Sequence, residues 1–112
     1  MATVEECRAA LDALAAKLDA HVAEGNKPVD LDRPLACTVA DLGVSFHGRI
    51  TGGRLVDIGE GDDPKAKIRL TANSDDLLAL VKGDLHLTKA WSSGRIAIHA
   101  NPFDLLKLRK LL

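Results

Sequence analysis

The sequence predicts an α+β fold in which a five-stranded, mainly antiparallel sheet is covered by helices. Three observations carry this. An amphipathic helical stripe opens the chain, the apolar period then changes from 3.6 to 2 near Leu35, and four strand-like runs follow in succession before helices return. Strands that come in runs, not alternating one by one with helices, belong to α+β architectures and not to βαβ units.

The first helix is expected over about 4–24. Thr3-Val4-Glu5-Glu6 has the form of a capping box, with Thr3 at the N-cap and Glu6 three residues on. Val4, Cys7, Leu11, Leu14, Leu18 and Val22 recur at three- and four-residue steps as one narrow stripe. Gly25 suits the position after the helix and Pro28 forbids its continuation. The remaining face is Ala, Asp, Lys and Arg, so this helix lies on the surface of something.

Leu35, Cys37 and Val39 then alternate with Ala36, Thr38 and Ala40, and Val44, Phe46, Gly48 and Ile50 alternate with Ser45, His47 and Arg49. One dry and one wet face mark an antiparallel sheet covered on one side. Gly52-Gly53 places a hairpin turn before a third strand, about Arg54–Ile58. Ile68 and Leu70 form a fourth strand after the polar loop 59–64. Ser74 is expected to cap a second helix whose first turn carries Asp75 and Asp76, with Leu77, Leu80 and Val81 as its stripe and Lys82-Gly83 as its end. A short turn of helix spans Lys89–Ser92, with Thr88 as cap and Gly94 as stop. Ile96 and Ile98 alternate in a fifth strand, and Asn101, Pro102 and Asp104 start a last helix. That helix has Leu105, Leu108 and Leu112 on one side and Phe103 and Leu106 on another. Two apolar sides call for a second apolar neighbour: a lipid, a helix or a subunit.

The 112 residues suit one domain over 1–112. Fifteen Lys and Arg against sixteen Asp and Glu leave a formal net charge of −1, with no global attraction to nucleic acid or anionic membrane. No apolar run approaches the ~20 residues of a membrane span, and an acidic N-terminus lacks the order of a signal peptide. With only Cys7 and Cys37, the expected compartment is the cytoplasm. Leu occurs 18 times whereas aromatic residues number three, so the core is aliphatic.

Catalytic chemistry finds no footing. His21, His47, His86 and His99 have no metal-ligand spacing, and Cys7 and Cys37 fall on dry faces as small hydrophobes. The glycines match neither phosphate-binding pattern. Asp57, Glu60, Asp62 and Asp63 lack the spacing of a calcium loop. No catalytic residue, metal or cofactor is expected.

Residues 77–98 carry a likeness. Leu77-Leu78-Ala79-Leu80-Val81-Lys82-Gly83-Asp84-Leu85, followed by Lys89-Ala90-Trp91-Ser92-Ser93-Gly94-Arg95-Ile96-Ala97-Ile98, resembles the signature stretch of the sterol carrier protein 2 domain. A Leu-rich helix ends in Gly there, a Lys-Ala-aromatic segment follows, and a Gly-basic-aliphatic strand precedes a last apolar helix. The resemblance covers about residues 33–112, and the whole chain looks like short stand-alone bacterial members with an added N-terminal helix. It implies non-enzymatic binding, with possible transfer, of an apolar lipid (fatty acid, fatty acyl-CoA, phospholipid or sterol) in a hydrophobic tunnel. Carried over by position, Leu77, Leu80, Val81 and Leu85 would line that tunnel, Trp91, Ile96 and Ile98 would continue it, and Phe103 and Leu106 would close it. Strand alternation adds Phe46 and Leu70. Ser92 departs from the family, where many members carry a second aromatic residue. The alternative reading is a protein–protein interaction module with a filled core, acting as a partner or homodimer subunit.

Overall fold

The computed structural model describes residues 2–27 and 30–111; Pro28 and Leu112, invoked above, lie outside them. Along the chain come α1 (Val4–Ala23), β1 (Arg33–Val39), β2 (Val44–Thr51), β3 (Arg54–Glu60), β4 (Ile68–Ala72), α2 (Ser74–Lys82), α3 (Leu87–Ser92), β5 (Ile96–His99) and α4 (Pro102–Leu111). The fold is α+β, as the change of period implied.

The capping box of α1 forms: the Glu6 amide donates to Thr3 Oγ1 at 3.1 Å and the Thr3 amide donates to Glu6 Oε1 at 3.1 Å. Two amides that the helix cannot satisfy are thus paired reciprocally. Cys7, Leu11 and Leu18 of the stripe are buried, and α1 packs against β3 and α2.

The strands lie in the order β3-β2-β1-β4-β5. All ladders are antiparallel except the central pair β1–β4, which is parallel. Cys37 stands in register with Phe46 on one side and Leu70 on the other, so the dry faces of three strands coincide. The opposite face carries Ala36 between His47 and Arg69. Ala36 is buried even so, because its small side chain sits between two larger neighbours.

β3 runs to Glu60, two residues beyond the expected end at Ile58. The register against β2 shifts between His47 and Arg49, and Asp57 adopts φ +56°. One extra residue at such a bulge restores pairing further along. It also lets Leu55 and Ile58, three apart, both pack on the core. Beyond the bulge Gly59 lies beneath the His47 imidazole, where an added Cβ would fall 2.6 Å from Nε2.

Two caps differ from expectation. Asn73, not Ser74, is the N-cap of α2, and Ser74 is the first helical residue, buried and bonded elsewhere. α3 begins at Leu87 with His86 as N-cap, two residues ahead of the expected Thr88 cap, because Leu87 turns into the core. α4 starts as expected, the Asp104 amide donating to Asn101 Oδ1 at 2.9 Å.

Candidate functional site

The core is one aliphatic layer between the dry face of the sheet and the helices, and a small cavity lies within it. α1 supplies Leu11, Leu14 and Leu18 to its wall, and α2 supplies Leu77, Leu80 and Val81. Sheet residues including Cys37, Ile68 and Leu70 form the floor, and Leu108 of α4 closes one end. Its volume is about 60 Å³, and no polar group reaches its surface. A space that size would hold water only beside polar partners, so this one is dry. Ligand sites are usually about 300–1,000 Å³, so anything larger than a few methylenes must displace a wall.

The expected site residues divide into three groups. Leu70, Leu77, Leu80 and Val81 come together on the cavity wall. Phe46, Ile96 and Ile98 are buried in the core away from that wall, and Leu85 packs half-buried against it. Trp91, Phe103 and Leu106 are 42%, 75% and 56% exposed. They stand outside the cavity, for a simple reason. α4 turns Leu108 inward with Leu105 beside it, and Phe103 and Leu106 point away from that side toward solvent. The second apolar neighbour their pattern called for is not among the described residues.

The wall residues of α1 were legible as a stripe but not as part of a site. Leu11, Leu14 and Leu18 show only that something apolar faces the helix. That α1 forms the wall opposite the sheet depends on where the helix lands.

The cavity holds no reactive group. Burial pushes the Cys37 thiol up to about 12, and burial also raises Cys7; both are free. A thiol held protonated behaves as a small apolar side chain. Among the described residues no grouping of His, Cys, Asp and Glu could hold a metal ion. The acidic loop is engaged internally: Arg69 donates to Asp62 Oδ1 at 3.0 Å and to the Asp63 carbonyl at 2.9 Å, and the Lys65 amide donates to Asp63 Oδ1. No described helix is long and apolar enough to cross a membrane.

Polar contacts sit along both flanks of α1. Toward β3, Arg8 donates to the Ile58 carbonyl at 3.2 Å and pairs with Asp12, and Arg54 pairs with Asp19 at 3.7 Å. Toward α2, Lys17 Nζ donates to the Val81 carbonyl at 3.0 Å.

This architecture is that of the sterol carrier protein 2 fold. Sterol carrier protein 2 like 2 from Aedes aegypti matches at TM-score 0.64 and 16% identity, over 94% of this chain and 98% of that one. Sterol carrier protein 2 from Aedes aegypti, in its complex with the C16 fatty acid palmitate, matches at 0.63 and 17%, over 90% and 92%. The stereoselective inverting sec-alkylsulfatase from Pseudomonas sp. matches at 0.59 and 22%, over 72% of this chain. This chain spans only 13% of that protein's length. These likenesses establish the fold. The family model for the alkyl sulfatase C-terminal domain matches residues 5–112, and the chain belongs to that family. The match takes in α1, which is therefore part of the family's own domain and not an addition to it. No curated protein matches the sequence.

Proposed function

We propose that the domain binds a single-chain apolar lipid between α1, α2 and the sheet, without turnover, metal or cofactor. The wholly apolar cavity carries the reading, and the palmitate complex known for a protein of the same fold supports it. At about 60 Å³ the resting cavity is a seed for the binding space, and binding on this reading requires the α1 wall to move aside. Transfer between membranes, and a cytoplasmic location, belong to the same proposal.

Magnitudes select the ligand. Burial stabilises by about 0.8 kcal/mol per methylene, against an association cost of about 4–15 kcal/mol. A chain of about eight carbons roughly breaks even, whereas one of about sixteen binds measurably. Isothermal titration with octanoate and hexadecanoate tests this. The expected result is saturable binding of the longer acid only; equal heats, or none for hexadecanoate, overturn it.

A second reading, an interaction module or homodimer subunit with a filled core, is favoured by the exposure of Phe103 and Leu106 on α4. Native mass spectrometry separates the two, since a co-purified lipid supports the carrier and an empty dimer supports the module.

A further inference from the structure

The cavity wall offers no polar partner, so the head of any lipid held there must lie at the rim. The rim along α1 is unequal on its two sides. Toward β3 the cations are matched by carboxylates, Arg8 by Asp12 and Arg54 by Asp19. Toward α2 stands Lys17, whose Nζ donates to a neutral carbonyl, that of Val81. Among the described residues no carboxylate lies within ion-pair distance of it.

Lys17 follows Leu14 by three residues and immediately precedes Leu18, and both leucines line the cavity, as does Val81. Its ammonium therefore sits where the two wall helices meet. It also sits at the C-terminal end of α2, where the partial negative charge of the helix favours a cation.

Resting on the lipid-binding reading above, we infer that Lys17 is the head-group residue of this site and selects a long-chain amphiphile with a single anionic head. A carboxylate or sulfate arriving at the seam replaces the Val81 carbonyl as partner of the ammonium. The exchange adds the attraction of a second full charge to a bond whose donor is already ionised. A lysine suits the task, being a compact charge with three donors on a flexible stem. The same exchange releases the one direct bond described between the side chains of α1 and the end of α2, so head-group capture and separation of the two helices are a single event. A neutral head gains nothing by it.

The test is titration of hexadecanoate, hexadecyl sulfate and hexadecan-1-ol, each delivered from cyclodextrin, into the native chain and into Lys17→Gln and Lys17→Arg. Gln removes the charge while keeping an N–H donor, and thermal unfolding of each variant verifies the fold. The native chain should bind at least one of the two anions more tightly than the alcohol, by up to about fivefold, the gain expected of an ion pair open to solvent. Lys17→Gln should abolish that preference and leave the alcohol unchanged, and Lys17→Arg should keep it. Whether carboxylate or sulfate is favoured names the head group. Equal binding of all three ligands by the native chain, or parallel loss of all three in Lys17→Gln, overturns the assignment of Lys17 while leaving the lipid-binding reading intact. No binding of any ligand overturns that reading and this one with it.

Discussion

Asp41, in the turn between β1 and β2, receives two hydrogen bonds from Ser74 at the start of α2. The Ser74 amide donates to Oδ1 at 2.8 Å and its hydroxyl donates to Oδ2 at 2.7 Å. The same hydroxyl accepts from the Ala2 amide at 3.0 Å. Thirty-three positions apart in sequence, these two residues fasten the start of α2 to the sheet and the approach to α1 to both. A carboxylate at a helix N-terminus also meets the positive end of the helix dipole.

The hydrogen bonds from Ser74 hold the Asp41 carboxyl below its ordinary range. The folded state thus favours the ionised form more than the unfolded chain does. The stability this adds is fully present above the unfolded value of about 3.9. It is lost as pH falls through the lower folded value. Thermal midpoints of the native chain and Asp41→Asn should therefore differ most near neutral pH and converge in strong acid; a gap that stays constant with pH refutes the linkage. Ser74→Ala removes the hydroxyl and leaves the Ala2 amide without its partner, at an expected cost of about 1–3 kcal/mol by denaturant titration.

The division between cavity wall and surface makes a sharp stability contrast. Leu77, 2% exposed, should cost about 2–5 kcal/mol on truncation to Ala. Phe103→Ala and Leu106→Ala should stay within about 0.5 kcal/mol, despite removing as much or more apolar volume. Urea denaturation of the three variants decides whether α4 has one packed side or two, since a large loss at Phe103 would mean that it is packed.

Both cysteines should be inert to a thiol reagent at pH 8 in the folded chain and reactive in denaturant. Burial raises each, Cys37 to about 12, and the thiolate is the reactive form. Rapid labelling without denaturant would show that the region around the cavity floor opens readily.

Asp57 holds the bulge in β3 at φ +56°, a conformation that costs a non-glycine residue about 1–2 kcal/mol. Asp57→Gly is expected to stabilise by up to about 1 kcal/mol, part of the relief being offset by glycine's greater freedom when unfolded. Asp57→Val should destabilise, because a branched side chain is poorly tolerated there. Opposite signs in chemical denaturation are the outcome to look for; two losses would mean that the Asp57 side chain itself matters.

Much of the fold could be read from local chemistry. The Thr3–Glu6 box, the Gly52-Gly53 turn and the Asn101 cap each draw on contacts within a few residues, and each forms. Alternation likewise identified the dry faces of β1, β2, β4 and β5. It mistook the end of β3, because a bulge breaks the period of two at Asp57. It misplaced the cap of α2, because Ser74 looks like an N-cap until its partner Asp41 is known.

The sequence settled which side of each element is apolar, since a period of 3.6 or 2 is a property of the local chain. It also bore the family likeness in residues 77–98. Only the packed chain assigned what stands opposite those sides. It set the parallel pairing of β1 with β4, made α1 a wall of the cavity, and left Phe103 and Leu106 outside it. The reason is physical: apolar burial has no direction, so a stripe demands a neighbour without specifying which one. The same holds for Lys17, a surface lysine by its position in the helix, whose bond to the end of α2 appears only once that helix lies beside it.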